Sequence, residues 1–396
     1  MLSLPDWARS PEGLALLAAL DAPAGETRLV GGAVRDALIG VAGADIDLAT
    51  RLTPQQVMVR VKAAGLKAVP TGLAHGTVTA VGKMLTAEVT TLRRDVATDG
   101  RHAEVAFTDD WQADASRRDF TINALYAALP GGEICDFFGG LDDLAARRVR
   151  FIGAPLQRIA EDHLRILRFF RFSARFAAVI DADGLAACTL RANDLMALSR
   201  ERIALELRGI LSLSDPQPVM ALMIEHGIWR PVLPEFTPDR LGVLARTIAA
   251  EAANGLPRDW RRRLAALLTV DNADAVTGRL RLSNADRARV ALAVVPHDGA
   301  AEPHDNSPLL PLAWAIGAEA VVDRLLIAGR AGPEIAALAA WQRPKLPASG
   351  RDLIARGVVP GPEVARRLGM FERGWVAAGF PGDAAQVAAL LDAAAG

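Results

Sequence analysis

Leu29-Val30-Gly31-Gly32-Ala33-Val34-Arg35-Asp36, followed ten residues after Arg35 by Asp45-Ile46-Asp47-Leu48-Ala49-Thr50, is the stretch on which the reading of this chain turns. The apolar run into Val30 reads as a strand, and the two glycines after it as a turn into a helix. Gly31 and Gly32 carry no side chain, so backbone N–H groups there can come close to a triphosphate. Arg35, one turn into the helix, is placed to reach the same anion. The plain alternative is a tight turn with a solvated arginine. In a strand, residues i and i+2 share a face, so Asp45 and Asp47 point one way while Ile46 and Leu48 pack behind them. Two carboxylates held together repel unless a divalent cation neutralises them. An all-oxygen pair suits Mg²⁺ on a nucleotide triphosphate, which makes Asp45 and Asp47 the candidate catalytic acids and metal ligands. An isolated Asp-x-Asp is most often a pair of loop acids; the Gly-Gly-x-Val-Arg-Asp just upstream gives this one its weight.

Outward from this stretch, short β-rich runs recur at 28–33, 46–50, 77–81, 87–92 and 105–107, with a helix expected at 54–64 behind Pro54. On the 87–92 run, Glu88 faces opposite to Val89 and offers a third carboxylate; a solvent-facing strand glutamate is the plain reading. From about residue 151 the pattern changes to long Ala/Leu/Arg-rich stretches of helical period. The expected fold class is an α/β head followed by an all-helical remainder, with breaks at 212–218 and 296–308. A length of 396 residues allows two to four domains. The two cysteines, Cys135 and Cys188, are far apart and outside any metal-binding spacing, which suits a reducing cytoplasm. No signal peptide is expected from MLSLPDWARS, and no apolar run is long enough to span a membrane. The formal net charge is −1, yet eight arginines fall between Arg147 and Arg175, the mark of a focused phosphate site.

The motifs then become specific. VGGAVRDALIG with DIDLAT resembles the head-domain signature of class II tRNA nucleotidyltransferases and bacterial poly(A) polymerases. The run from Arg117-Arg118-Asp119-Phe120-Thr121 to Asn123-Ala124-Leu125 is similar to a second family motif, and Asp136-Phe137-Phe138-Gly139-Gly140 to a third. The match runs from about 28 to 235 and continues weakly to Gly350-Arg351-Asp352-Leu353 and Gly361-Pro362. The resemblance implies a polymerase-β-like head at 1–150, a helical neck at 151–235, and a helical body and tail at 236–396. It implies Mg²⁺ on Asp45 and Asp47, with Gly31, Gly32, Arg35 and Arg118 holding nucleotide phosphates and sugar. Asp99-Gly100-Arg101 resembles the family's basic loop, with His102 where an arginine often follows.

Residues 158–171 read as one amphipathic helix, with Arg158, Glu161, Asp162, Arg165 and Arg168 on its polar face. A salt-bridged solvated face is the plain reading. The segment also matches the family's Glu-Asp-x-x-Arg motif, which implies that Asp162 and Arg165 read the incoming base, with Arg168 a further nucleotide contact. The chemistry fits. Carboxylate only accepts and guanidinium only donates. Cytosine and adenine both present an amine beside an unprotonated ring nitrogen, whereas guanine and uracil present a carbonyl beside a ring N–H. Each buried mismatch costs about 1–3 kcal/mol, so one protein pair can select C and A without a template.

Residues 195–211 resemble the family's RNA-binding segment, with Ser199 expected to cap a helix that carries Glu201 in its first turn. His297-Asp298 and His304-Asp305 read as loop residues rather than a phosphohydrolase site. The leading expectation is CCA addition to the tRNA 3′ end from CTP and ATP, in the cytoplasm and with no membrane or protein partner implied. The alternatives are a poly(A) polymerase, an A-only or CC-only enzyme, or a catalytically silent RNA-binding protein.

Overall fold

The computed structural model describes residues 2, 5–41, 45–98, 103–296 and 309–396. The chain divides into two compact units, Met1–Pro234 and Glu235–Gly396. The basic loop at 99–102 and both His-Asp dipeptides lie outside the described residues.

The first unit is built on a seven-stranded mixed sheet. Its strands are β1 (Thr27–Val30), β2 (Ile46–Thr50), β3 (Lys67–Gly72), β4 (Thr77–Val81), β5 (Thr86–Thr91), β8 (Leu125–Ala128) and β9 (Ile134–Asp136), in the order β3-β4-β5-β2-β1-β8-β9. β6 (Arg93–Thr98) and β7 (Ala103–Phe107) form a separate hairpin. β2 and β5 pair in parallel, setting Asp47 opposite Glu88. Alternation along the strands divides the core in two. Leu29, Leu48, Val89 and Leu125 turn to one face, under α1 (Pro11–Ala19), α2 (Gly32–Leu38) and α3 (Pro54–Ala63). Val30, Ala49 and Tyr126 turn to the other, beside Trp111 and Ile152. Asp47, two residues before Ala49, therefore belongs to the Tyr126 face.

The strands at 46–50 and 77–81 form as expected, whereas β3, β6, β8 and β9 escaped the sequence reading. β3 carries Pro70 and is mostly exposed, and β8 and β9 are too short for alternation to register. Thr53 caps α3 with a full capping box, its hydroxyl accepting from the Gln56 N–H.

After α4 (Trp111–Ser116) and α5 (Gly140–Ala145), the first unit continues in helices: α6 (Pro155–Glu161), α7 (Arg165–Phe176), α8 (Ala182–Leu190), α9 (Arg200–Leu211) and α10 (Gln217–Glu225). Ser199 caps α9 as expected. The single helix expected over 158–171 is not formed. Asp162 takes extended backbone (φ −150°, ψ 107°), ending α6, and α7 begins three residues later. The physical reason lies in the Asp162 side chain, whose Oδ1 accepts from the Leu164 N–H at 3.1 Å and folds a local turn there instead of continuing the first helix. Arg158 and Arg165, expected on the polar face, are each only 8% exposed, against the plain reading of a solvated face.

The second unit is helical throughout its described residues, from α11 (Pro238–Ala253) through α12 (Trp260–Ala266), α13 (Val270–Arg279), α14 (Asn284–Ala293), α15 (Leu309–Ile316), α16 (Ala318–Ile327) and α17 (Pro333–Ala340) to α18 (Gly350–Ile354), α19 (Pro362–Ala377) and α20 (Ala384–Ala395). Its described residues include an apolar cluster around Val321, Leu326 and Ile335 and another around Phe371 and Trp375. Among the described residues no helix is long and apolar enough to cross a membrane.

Candidate active site

The turn from β1 into α2 passes through Gly31 at φ 65° and ψ −124°, a conformation that only glycine adopts readily. A Cβ there would sit 3.3 Å from Arg118 Nη1 and 3.5 Å from the Asn123 carbonyl. The close approach of backbone and arginine thus depends on the missing side chain.

Beside this turn opens a cavity of about 430 Å³. Gly31, Gly32, Arg35, Arg118, Asp162, Arg165 and Arg168, all expected from the sequence to contact the nucleotide, line it together. Arg93, Arg117, Asp119, Asn123 and Phe172 complete the wall. Six arginines against two aspartates make it a cationic pocket, suited to a polyanion. Arg93 and Phe172 carried no sequence signal. Asp119 and Asn123 did, since both lie inside the quoted Arg-Arg-Asp-Phe-Thr motif.

Each pocket arginine is held from behind. Arg35 is 4% exposed and donates to Asp36 (2.8 Å from Nε) and to the Asn123 amide oxygen, with its guanidinium 4.2 Å from the Phe176 ring centroid. Sequence placed Arg35 as a free reach toward phosphate; instead it is anchored in the wall. Burial lowers its pKa, with Asp36 opposing, but an arginine stays charged. Arg168 bonds Asp119 through Nε at 2.7 Å. Burial works to raise the Asp119 carboxyl, yet Arg168 and the Asn123 amide hold it below the ordinary carboxylate range.

Three of the five N–H donors of Arg165 are committed to the Arg117 carbonyl (2.8 Å), the Arg158 carbonyl (2.9 Å) and Glu161 (2.7 Å). Arg158 donates to the Arg118 carbonyl at 2.8 Å. The two arginines of the α6–α7 corner therefore clamp the backbone of the Arg117-Arg118 segment. Asp162 is met by Arg202 of α9, whose Nη2 lies 3.0 and 2.9 Å from its two oxygens. That partner was invisible to local spacing, being forty residues away.

The third motif braces the second. Asp136 Oδ1 accepts from the Phe138 and Gly140 N–H groups, folding the Phe-Gly-Gly turn. A Cβ on Gly140 would lie 2.3 Å from the Thr121 carbonyl oxygen, and the Thr121 hydroxyl donates to buried Asp143 at 2.6 Å.

Asp45, Asp47 and Glu88 are not part of the cavity wall. Asp47 and Glu88 lie opposite one another on β2 and β5 while Asp45 falls just before β2, with Asp45 and Glu88 exposed and Asp47 half-buried. Burial, then Glu88, then Asp45 push the Asp47 carboxyl up, while Arg118 pulls it down. These four groups thus share one electrostatic neighbourhood. Among the described residues no group of three or more His, Cys, Asp or Glu side chains is gathered to hold a metal.

Residues 27–150 match the family described as Poly A polymerase head domain, and residues 179–240 that described as Probable RNA and SrmB- binding site of polymerase A. A mouse protein named CCA tRNA nucleotidyltransferase 1, mitochondrial, is 35% identical over 372 residues, covering 90% of this chain and 84% of that one. The chain belongs to the CCA tRNA nucleotidyltransferase family. A Levilactobacillus brevis CCA-adding enzyme is 31% identical over 389 residues, covering 93% of this chain and 94% of that one. The crystal structure of the Bacillus stearothermophilus CCA-adding enzyme in complex with CTP superposes with a TM-score of 0.76 at 26% identity, over 97% of this chain and 98% of that one. Membership of this RNA nucleotidyltransferase family accounts for the α/β head followed by helices.

Proposed function

We propose that this protein adds C, C and A, without a template, to the 3′ end of tRNA from CTP and ATP. The 3′-hydroxyl oxygen forms a bond to the α-phosphorus, the bond to the β-phosphate oxygen breaks, and pyrophosphate leaves with that electron pair as the hydroxyl gives up its proton. The observation that carries this reading is the pocket, where one wall combines a glycine turn, six arginines and Asp162. The turn and Arg118 hold the triphosphate. Asp162 accepts from the exocyclic amine of C or A, an amine that G presents elsewhere and U lacks. The incoming base competes with Arg202 for Asp162. Arg165 is placed to donate to the ring nitrogen while its other N–H groups hold the pocket wall.

Mg²⁺ fits the acid pair: burial first, then the neighbouring Glu88 and Asp45, push the Asp47 carboxyl up, and a divalent cation relieves such an all-oxygen set. Asp45 and Asp47 would hold it. Bound there, it would promote loss of the hydroxyl proton and neutralise charge on the departing pyrophosphate. The unpaired cysteines and the lack of a membrane-crossing helix among the described residues support action in the cytoplasm.

The decisive experiment incubates the protein with tRNA lacking its 3′ terminal triplet, CTP, ATP and Mg²⁺, and sequences the product. Addition of three nucleotides and a stop is expected, with Asp45→Ala and Asp47→Ala folded by circular dichroism but inactive. Long A-tails on unstructured RNA, indifferent to CTP, would favour the poly(A) reading that the head-domain description also admits. Near-normal turnover by either variant would remove the metal assignment.

A further inference from the structure

Behind the pocket wall lies a carboxylate that the mechanism above does not use. Asp114 sits in α4, 1% exposed, and is not part of the lining. Its Oδ1 accepts from Arg117 Nε at 2.8 Å and Nη2 at 2.7 Å, and from the Arg93 N–H at 3.3 Å. Its Oδ2 accepts from Arg118 Nε at 3.3 Å and Nη2 at 3.0 Å, and from the Tyr126 hydroxyl at 2.7 Å. Arg118 Nε in turn donates to that hydroxyl oxygen at 3.1 Å. We propose that Asp114 is a positioning residue for the nucleotide triphosphate, fixing the aim of Arg117 and Arg118 against the Gly31 turn. This rests on the nucleotidyltransferase reading of the pocket.

The geometry gives the reason. Arg117 and Arg118 follow Asp114 by three and four residues, so all three share one side of the helix end. One carboxylate grips both guanidinium groups by the edge made of Nε and Nη2. For Arg118 this turns Nη1 outward, and Nη1 is the atom that approaches Gly31, 3.3 Å from where a Cβ would stand. The same guanidinium is the one that pulls down the Asp47 carboxyl. Arg118 is thereby held between the glycine turn and the acid strand, where the phosphates of a nucleotide bridging the two must pass.

Only an ionised carboxylate fits this place. All six contacts are donors, and an amide would aim N–H groups at some of them. Burial works to raise the Asp114 carboxyl, but Arg118, Arg117 and Tyr126 outweigh it and hold it well below the ordinary range. Tyr126 is itself fixed by Trp111, edge-on at 5.4 Å between ring centroids. The assembly runs from the sheet through one buried carboxylate to two pocket arginines.

The test compares full-length wild type with Asp114→Asn by titration calorimetry against CTP and CMP, without RNA. The variant is expected to bind CTP about tenfold more weakly, the loss of a charged hydrogen bond, and CMP within about twofold of wild type. The KM for CTP in the addition assay should rise by the same factor while kcat changes much less. Unchanged CTP affinity in a folded variant overturns the proposal. So does equal loss for CTP and CMP, the mark of a merely structural role. Should Asp114→Asn not fold, Tyr126→Phe, which removes one contact from Oδ2, must weaken CTP selectively; wild-type CTP affinity there overturns the idea. A wild-type protein that binds no CTP would instead sink the nucleotidyltransferase reading itself.

Discussion

Asp162 has two tasks that a single substitution can separate. Its Oδ1 folds the α6–α7 corner by accepting from the Leu164 N–H, and both oxygens form the acceptor pair that Arg202 occupies. Asparagine can still accept from that N–H through its carbonyl oxygen and keep the turn. It cannot offer two acceptors, and its amide N–H would face the exocyclic amine of C or A. Asp162→Asn should therefore keep its melting temperature within about 4 °C of wild type, the shift of roughly 1 kcal/mol. Its preference for CTP and ATP over UTP and GTP should fall about tenfold or more, measured as ratios of kcat/KM. Retained selectivity would show that the base is read elsewhere.

At the scale of elements, the site depends on short segments bracing one another. The Arg-Arg-Asp-Phe-Thr segment is clamped from one side by Arg158 and Arg165 at the α6–α7 corner. From the other side it is packed by the Phe-Gly-Gly turn, where Gly140 leaves no room for a side chain beneath the Thr121 carbonyl. A methyl at that position must displace backbone rather than the end of a flexible side chain. Gly140→Ala should cost about 1–3 kcal/mol by overpacking. It should also raise the KM for CTP, since the shifted backbone carries Arg118 and Asp119. Urea unfolding and steady-state kinetics report the two effects. A variant with wild-type stability would mean that the turn relaxes freely.

At the scale of the whole molecule, every described pocket residue falls within the first unit, while the second has its own buried polar network. Glu251, 2% exposed, accepts from Arg262 at 2.8 Å and from Arg263 at 2.9 Å, and Asp323, fully buried, accepts from Arg262 and Arg289. Removing one partner of a buried pair strands the other charges, at a cost of about 3–5 kcal/mol. Glu251→Ala should lower the unfolding temperature by calorimetry while CTP affinity stays at the wild-type value. A matching loss of CTP binding would contradict the separation of the two units.

The sequence by itself determined the family, the α/β-to-helical succession and seven of the residues that line the pocket, but neither Arg93 nor Phe172. These rest on local periodicity and on motifs whose residues are near neighbours in the chain: Gly31 to Asp47, Arg117 to Asn123, Asp162 to Arg168. Tertiary structure alone decided how those residues are used. The corner at Asp162 looked like unbroken helix because helical spacing continues straight through it, and only the turn bond to the Leu164 N–H with the distant Arg202 shows the break. For Arg35 and Arg165 the sequence shows charge but not its distant partners; Asn123 and the Arg117 carbonyl supply these across 88 and 48 residues. Asp114 carried no motif of its own in the reading. Its part follows from burial, which leaves one carboxylate to satisfy donors from α4, β6 and β8 at once.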